Sequence, residues 1–366
     1  RISELLIKLG VEVKHFGYGK YQVIAKNITS TAINPEIAKR LRASIVLTAP
    51  LLARMGRVDF PHPGGCIIGE RPIDVFLDGY KALGANVKYK GMVYTLSADR
   101  LCGAKFTFGN ISVTGTESLM LAASLAKGTT ILKNCACEPE VVSLASFLNV
   151  CGANVLGAGT PEIVIKGVRK LNGGRHVTIP DRIEAGSFAI LAAATGSDIK
   201  IDDCNPDHLD SLLTLFNKAG ISFKTNKNSI KIYPSGKINS ISIKTREYPG
   251  FPTDLQAPLS VLLTQSEGQA LVHETIYEGR LVWTEELKRM GATILNLDPH
   301  RIEIKGPTKL RGREIESPDI RAGMAYIIAA LCAEGESVIN NIYQIDRGYE
   351  KIEERLQKIG AGIRRI

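Results

Sequence analysis

The phrase "GYKALGANV" at residues 79–87 combines the end of an amphipathic helix, a glycine and the start of a strand. A glycine just past the last helical turn favours the left-handed conformation that ends helices, and the residues after it suit a strand. Similar phrases recur at intervals of 68 to 74 residues. Their six glycines are Gly10, Gly84, Gly152, Gly220, Gly291 and Gly360. This regular recurrence predicts an internal repeat of about seventy residues.

A second, more apolar helical phrase lies between these glycines. It is rich in small residues, which let helices pack closely, so it predicts buried helices, whereas the charged glycine-ending helices should face solvent. It occurs five times, at residues 42–56, 116–128, 182–196, 253–268 and 320–335. Because six glycine phrases accompany five buried helices, we expect a sixth buried helix before residue 1, with about fifty residues of the first repeat missing.

These patterns predict an α/β protein that is a two-domain inside-out α/β barrel, with helices inside and sheets outside. A chain of 366 residues is too long for one compact core. We expect a first domain at 1–179, with about two and a half repeats, and a second at 180–366, with three repeats. The boundary should fall near Pro180, after "GGRHVTIP" and halfway through the repeat series.

Composition narrows the function classes. Hydrophobic residues make up 44% of the chain and charged residues 23%, which is typical of a soluble globular enzyme. No apolar run reaches the roughly 18 residues that a membrane span needs. Seven cysteines are an odd number and favour a reduced, cytoplasmic protein over a disulfide scaffold. The "CAC" at 135–137 has no second Cys/His pair nearby, so we expect no metal site.

The net charge of +9 suggests an anionic partner. The basic residues are scattered and aromatic residues make up only 6%, so the sequence does not indicate a nucleic-acid surface. A basic cleft between two domains would instead attract a small, highly anionic substrate. A merely basic surface is the alternative, and charge alone does not exclude it.

Arginines recur at the repeat junctions. Arg42, Arg182 and Arg321 lie at or beside the starts of predicted buried helices, where free N–H groups and the helix dipole favour anions. Arg71 and Arg347 lie in loops that lead into exposed helices. Any one of them could be a solvated charge, but five at equivalent junctions favour phosphate or carboxylate binding.

Cys66 lies between glycines in "FPHPGGCIIGERPIDVF" at residues 60–76. Glycines offer no side chains for it to pack against and would make the loop mobile, as a closing lid would be. Arg71 and His62 are near in sequence, and positive charge favours the reactive thiolate. The alternative, a small buried hydrophobe, fits Cys332, Cys102, Cys151 and Cys204 better than Cys66.

Asp254 is the second candidate for chemistry. The stretch "GFPTDLQAP" at 250–258 predicts a helix start, with Thr253 as N-cap and Gln256 completing a capping box. An aspartate in the first turn can simply stabilise the helix dipole. In a cleft, the same carboxylate could accept a proton from a substrate hydroxyl.

Several of these stretches together resemble the UDP-N-acetylglucosamine enolpyruvyltransferase family. They include "RASIVLTAPLLARMG", the "PGGC" loop, "PDRIEAGSF", "FPTDLQA", "DIRAG" and "IYQIDRGYEKIEERLQKIGA", and the resemblance covers the whole chain. The related shikimate-pathway enolpyruvyltransferases share a six-repeat fold but lack the PGGC cysteine. The resemblance implies an inside-out α/β barrel and a cytoplasmic enzyme of peptidoglycan synthesis that uses no cofactor.

The resemblance also implies a reaction and a role for each candidate. The 3-hydroxyl of UDP-N-acetylglucosamine attacks C2 of phosphoenolpyruvate, and phosphate then leaves. Cys66 resembles the loop cysteine that protonates C3, and Asp254 resembles the carboxylate at the sugar hydroxyl. Arg71, Arg321 and Arg347 resemble the arginines around phosphoenolpyruvate. The other implied substrate contacts are Arg42, Pro72, Ile73, Asp74, Val75, Asn110, Ile111, Ser112, Val113, Ile276 and Asp319.

Two other functions stay open from sequence alone. One is an enolpyruvyltransferase with a different acceptor, which Cys66 and the nucleotide-type loop disfavour. The other is a non-catalytic UDP-sugar-binding relative, which Cys66, Asp254 and the arginines disfavour. The family's N-terminal Lys-Asn pair would fall before residue 1. The sequence does not indicate an oligomeric state.

Overall fold

The computed structural model describes residues 2–17, 19–64 and 72–366. The repeat glycines organise it locally, because all six have a positive φ, between 79° and 107°. This confirms the left-handed conformation predicted for them. A strand follows five of them, but residues 361–366 after Gly360 form no strand, so that part of the prediction was wrong.

Contacts divide the chain between Ile179 and Pro180 into two units, each with its own hydrophobic core. The helices of the first unit are α1 (Ile2–Lys8), α2 (Pro35–Ala38), α3 (Thr48–Met55), α4 (Asp74–Ala82), α5 (Val113–Ala123) and α6 (Pro139–Val150). Its strands are β1 (Glu12–His15), β2 (Tyr21–Ile24), β3 (Arg57–Pro61), β4 (Asn86–Lys90), β5 (Val93–Ser97), β6 (Lys105–Thr107), β7 (Thr129–Lys133), β8 (Asn154–Leu156) and β9 (Glu162–Lys166).

In the described part of this unit, the strands form sheets in the orders β1-β2, β3-β5-β4 and β6-β7-β9-β8. Only the β6–β7 pair within these sheets is parallel. Helices α3 and α5 pack against each other, and Leu52 and Leu119 are almost completely buried. The apolar helices are therefore the buried ones, as the sequence predicts.

The second unit covers Pro180–Ile366. Its helices are α7 (Arg182–Thr195), α8 (Asp210–Ala219), α9 (Gln256–Gln265), α10 (Thr284–Arg289), α11 (Ile320–Cys332), α12 (Tyr343–Asp346) and α13 (Ile352–Lys358). Its strands are β10 (Ile199–Asp202), β11 (Phe223–Asn226), β12 (Ser229–Ile232), β13 (Ile243–Lys244), β14 (Gly268–His273), β15 (Thr293–Asp298), β16 (Arg301–Gly306), β17 (Glu314–Glu316) and β18 (Val338–Asn340).

Helices α7, α9 and α11 pack on one another, and Ala189, Leu259 and Met324 are completely buried. The strands lie in sheets ordered β10-β12-β11, β13-β14-β16-β15 and β17-β18. The β13–β14 and β17–β18 pairs are parallel. The starts of α7, α9 and α11 carry most of the candidate residues of this unit, so the helix packing positions them.

Two predicted buried helices begin later than the sequence suggests. The 42–56 phrase starts with a 3₁₀ helix, Arg42–Leu47, and the 253–268 phrase starts with another, Thr253–Leu255. In both, the α-helix then begins two residues before a proline, Pro50 or Pro258. Proline has no N–H to donate and is tolerated in the first helical turn, so it marks the start of the regular helix.

The described cysteines are all free. Cys151 and Cys204 are buried, as predicted, whereas Cys102 is exposed and its predicted burial was wrong. No helix in the described residues is long and apolar enough to cross a membrane.

The Gly186→Ala variant tests whether helix packing positions the start of α9. A Cβ on Gly186 of α7 would lie 2.7 Å from Leu255 Cδ1 and 3.1 Å from Leu209 Cδ2. Both leucines are buried, so we expect overpacking to reduce the free energy of unfolding by about 1–3 kcal/mol. The higher helix propensity of alanine offsets up to about 1 kcal/mol of that loss.

Urea denaturation measures this change. Gly236→Ala is the matched control, because a Cβ there would meet nothing within 4 Å and its φ is not in the left-handed range. Equal stability of the two variants would contradict the packing argument.

Candidate functional site

Asp254 lies in the 3₁₀ turn Thr253–Leu255 that leads into α9. Arg280 Nη2 donates to its Oδ1 at 2.8 Å, and Arg321 Nη2 donates to its Oδ2 at 3.0 Å. The Asp254 side chain is 35% exposed, whereas Arg280 is 4% and Arg321 18% exposed. Both carboxylate oxygens are therefore paired with a guanidinium, and both arginines are less exposed than the aspartate.

The electrostatics of this cluster favour the ionised carboxylate. Burial alone would raise the pKa of Asp254, but the charges and hydrogen bonds of Arg321 and Arg280 lower it to about 2. Burial would likewise lower the pKa of Arg321, but the charge of Asp254 raises it overall. Because the folded-state pKa of Asp254 is depressed, its ionisation stabilises the fold above pH 3.8, its ordinary value, and this contribution is lost as the pH falls toward 2.

Arg280 is a site residue that the sequence analysis missed. It lies in the 3₁₀ helix Glu278–Leu281, its Nη2 also approaches Thr253 O at 3.5 Å, and its guanidinium lies 5.8 Å from the centre of the Tyr277 ring. The stretch "GRLVW" indicates a buried arginine, because it places a single charge directly before apolar residues. A buried arginine needs a carboxylate partner, but the sequence does not say which one.

Glu274 fixes the turn that carries Asp254. Its completely buried carboxylate accepts hydrogen bonds from Thr253 Oγ1 at 2.9 Å, Ile276 N at 2.8 Å and Tyr277 N at 3.2 Å. The predicted capping box was therefore wrong, since Thr253 donates to Glu274 and Gln256 Nε2 donates to Ser260 Oγ. Glu274 therefore connects the turn that carries Asp254 to the backbone of Ile276, because it accepts hydrogen bonds from both Thr253 and Ile276. Ile276 is a candidate sugar-nucleotide contact.

Arg321 lies in the first turn of α11, where Asp319 is the N-cap. The Asp319 carboxylate accepts hydrogen bonds from Arg321 N at 2.8 Å and Ala322 N at 3.1 Å, and it is only 8% exposed. The Asp319 carboxylate therefore caps the helix that carries Arg321. This local pairing fixes the backbone from which the Arg321 side chain extends to Asp254.

Tyr349 supports the other end of the Arg321 side chain. Arg321 Nη1 donates to Tyr349 Oη at 3.3 Å, and that hydroxyl lies 2.9 Å from Ser187 Oγ on α7. Tyr349 is completely buried, and burial raises the pKa of its hydroxyl, so it remains protonated. Arg321 thus donates one hydrogen bond to the neutral Tyr349 hydroxyl and another to the Asp254 carboxylate.

Arg347 has a hydrogen-bond partner outside this cluster. It is exposed at the end of α12, and its Nη1 donates to Gln344 Oε1 at 2.9 Å. It precedes Tyr349 by two residues, so the chain that carries Arg347 also positions the hydroxyl that contacts Arg321. Arg182 begins α7 and lies 5.5 Å from the centre of the Tyr248 ring.

The remaining candidates belong to the first unit. Arg42 is half-buried at the start of its 3₁₀ helix, Ile73 is buried and Asp74 begins α4. Ser112 is the N-cap of α5 and accepts a hydrogen bond from Gly115 N at 3.1 Å. Pro72, Asn110 and Ile111 are exposed, whereas Val75 and Val113 are half-buried. Cys66 and Arg71 lie outside the described residues.

A carboxyl group with an unusual pKa also lies in the first unit. Burial on α5, together with the charges of Glu140 and Glu138, raises the pKa of Glu117 to about 7. Glu138 and Glu140 lie at the start of α6, which packs against α5. The sequence alone does not reveal this group, because the three residues meet only when the two helices pack.

A family model and curated relatives both match this chain over nearly its whole length. The family model EPSP synthase (3-phosphoshikimate 1-carboxyvinyltransferase) matches residues 1–356. A relative from Acidobacterium capsulatum is 44% identical, over 99% of this chain and 84% of its own length. One from Halothermothrix orenii is 44% identical, over 100% and 87%. Both are named UDP-N-acetylglucosamine 1-carboxyvinyltransferase.

Solved structures show the fold. The enolpyruvyl transferase NikO from Streptomyces tendae superimposes with a TM-score of 0.87 at 22% identity, covering 99% of this chain and 86% of that one. The EPSP synthase of Acinetobacter baumannii gives a TM-score of 0.73 at 19% identity, covering 98% and 86%. At these identities the likeness supports the α/β fold of these enzymes and nothing finer.

Proposed function

The chain belongs to the EPSP synthase family, and from that premise we propose that it transfers the enolpyruvyl group of phosphoenolpyruvate to the 3-hydroxyl of UDP-N-acetylglucosamine. It is a transferase that releases phosphate in the first committed step of peptidoglycan synthesis. The observation that carries this function is 42–44% identity, over nearly the whole chain, to relatives that all carry the name UDP-N-acetylglucosamine 1-carboxyvinyltransferase.

The proposed chemistry divides between Cys66 and Asp254. The 3-hydroxyl oxygen forms a bond to C2 of phosphoenolpyruvate as Asp254 takes the hydroxyl proton and the Cys66 thiol gives a proton to C3. The tetrahedral intermediate then breaks its bond between C2 and the phosphate oxygen. Loss of a proton from C3 restores the double bond, so the products are the enolpyruvyl ether and phosphate. Each proton transfer of this kind contributes about 10²–10⁴-fold to the rate.

Arginines would bind the anionic groups of phosphoenolpyruvate. Arg71, Arg321 and Arg347 are proposed for its phosphate and carboxylate, because charge-assisted and bidentate hydrogen bonds suit both groups. Arg42 and Asp319 are proposed as neighbouring substrate-site residues. The proposed sugar-nucleotide contacts are residues 71–75, residues 110–113 and Ile276. The hydrogen bonds of Glu274 support the last of these, because they fix Ile276 relative to Asp254.

The repeat supports a finer proposal for the architecture and setting. We take the fold to be the six-repeat inside-out barrel. The packing of α7, α9 and α11 on one another agrees with three buried helices in the second domain. The enzyme would act in the cytoplasm on two small molecules, without nucleic acid or membrane insertion.

Phosphate release from phosphoenolpyruvate, with and without UDP-N-acetylglucosamine, tests the function on the full natural chain. Release that requires the sugar nucleotide is expected. If the sugar nucleotide bound but no phosphate were released, the non-catalytic function would be favoured. If the sugar nucleotide did not bind, the enzyme would have a different acceptor.

The Arg347→Ala variant should weaken the use of phosphoenolpyruvate far more than the binding of UDP-N-acetylglucosamine. A hydrogen bond to a charged group contributes about 1.5–3 kcal/mol, so KM for phosphoenolpyruvate should rise by about tenfold to a hundredfold. Steady-state kinetics and calorimetric binding of the sugar nucleotide measure the two effects. Lys358→Ala is the control, since it removes an exposed positive charge from the same terminal region. Equal losses for both substrates in Arg347→Ala would assign this arginine elsewhere.

A further inference from the structure

The ion pairs around Asp254 pose a chemical problem for a base. A carboxylate that takes a proton from a hydroxyl must be basic, yet Arg280 and Arg321 each donate to one of its oxygens, and both positive charges favour the ionised form. In this arrangement the pKa of Asp254 is about 2, which makes it a weak proton acceptor. Release of one of the two arginines would raise the basicity of Asp254, which the proposed function requires.

Arg280 is the partner suited to stay. Its side chain is 4% exposed, so losing Asp254 would leave a buried charge without its counter-ion. It also approaches Thr253 O, in the same turn as Asp254. Arg280 therefore fixes both the carboxylate and the backbone that carries it.

Arg321 is the partner suited to leave. Its side chain is more exposed, at 18%, and its Nη1 has a second acceptor, Tyr349 Oη, that does not depend on Asp254. The carboxylate or phosphate of phosphoenolpyruvate could replace the Asp254 carboxylate as its acceptor, since guanidinium groups bind all three. The exchange replaces one charge-assisted hydrogen bond with another.

We propose that Arg280 is the positioning residue of Asp254, and that Arg321 exchanges Asp254 Oδ2 for an anionic group of phosphoenolpyruvate. This inference rests on the proposed function. Arg280 keeps Oδ1, and Oδ2 becomes free to accept the proton of the sugar 3-hydroxyl. Binding of phosphoenolpyruvate thereby creates the base. Asp254 remains ionised until then, because one guanidinium is always paired with it.

The proposal predicts a specific pH dependence. The groups that face Asp254 are Arg280, Arg321 and the Tyr349 hydroxyl, with Asp181 and Asp319 beyond Arg321. In an Arg280→Met variant, the substrate complex has lost both cations from Asp254, whereas the free enzyme still has Arg321. The acid limb of kcat, which reports the complex, should therefore rise by about one to three pH units. The acid limb of kcat/KM, which reports the free enzyme, should rise less.

The experiment compares phosphate release by the wild type, Arg280→Met, Arg280→Lys and the control Arg289→Met between pH 5 and 9. Arg289 is 62% exposed and pairs with Glu286 within α10, so its replacement should leave both pH profiles unchanged. Arg280→Met should lower kcat by about a hundredfold, because a misplaced base loses rate steeply. Arg280→Lys should retain the wild-type acid limbs but lose kcat, since an ammonium cannot hold two acceptors in one plane.

Three results would overturn the proposal. The first is an Arg280→Met enzyme with wild-type acid limbs, which would make Arg280 a structural residue. The second is an equal shift of both limbs, which would mean that Arg321 does not exchange. If Arg280→Met does not fold, wild-type kcat in Arg280→Lys is the decisive contrary result. A wild type that releases no phosphate would instead overturn the proposed function itself, and the catalytic use of Arg280 with it.

Discussion

The Cys66→Ala variant is expected to lose turnover by at least about a hundredfold while it still binds UDP-N-acetylglucosamine. The reason is chemical, because C3 of phosphoenolpyruvate must gain a proton as C2 is attacked, and alanine has no proton to give. The sugar nucleotide makes no use of that proton. Binding and turnover should therefore separate in this variant.

Phosphate release and calorimetric titration of the sugar nucleotide measure the two effects. Cys102→Ala is the matched control, since Cys102 is a free and exposed cysteine. It should keep wild-type turnover. Full activity in Cys66→Ala would rule out the thiol as proton donor, and joint loss of binding and turnover would point to a damaged loop.

The repeat was predictable because its signals are local. A glycine after an amphipathic helix adopts a positive φ for steric reasons that involve only its own residue and its neighbours, and all six glycines do so. The contrast between apolar and charged helices is also local in sequence. The prediction was wrong after Gly360, because a strand needs a partner and residue-by-residue preference does not supply one.

The site was less predictable because its contacts are long-range. Asp254 and Arg321 could be singled out from helix starts, but the pairing of Asp254 with Arg280 spans 26 residues and depends on the fold. Thr253 illustrates the same limit, since its hydroxyl donates to Glu274 across 21 residues and leaves the predicted capping box unformed. A buried acceptor outside the segment outweighed the local preference.

Asp254→Asn should be the second variant with a large loss of turnover, with kcat reduced by about 10²–10⁴-fold. The amide is nearly the same size as the carboxylate, but it cannot accept the hydroxyl proton. Asp298→Asn is the matched control, because Asp298 is 30% exposed and also pairs with an arginine, Arg301, on a surface strand. The control should retain turnover. An Asp254→Asn enzyme within tenfold of the wild type would exclude Asp254 as the base.

Combining Asp254→Asn with Arg280→Met should separate the effect of Asp254 on turnover from its effect on the free energy of unfolding. Asp254→Asn leaves the buried Arg280 without its counter-ion, so we expect a loss of about 1–3 kcal/mol in the free energy of unfolding, less than for a fully buried pair because Asp254 is 35% exposed. Removing both partners takes the uncompensated charge away as well. The double variant should therefore recover part of the stability in urea denaturation and none of the turnover. If the double variant were less stable than Asp254→Asn, Arg280 would stabilise the turn mainly through Thr253 and Tyr277 rather than through the charge of Asp254.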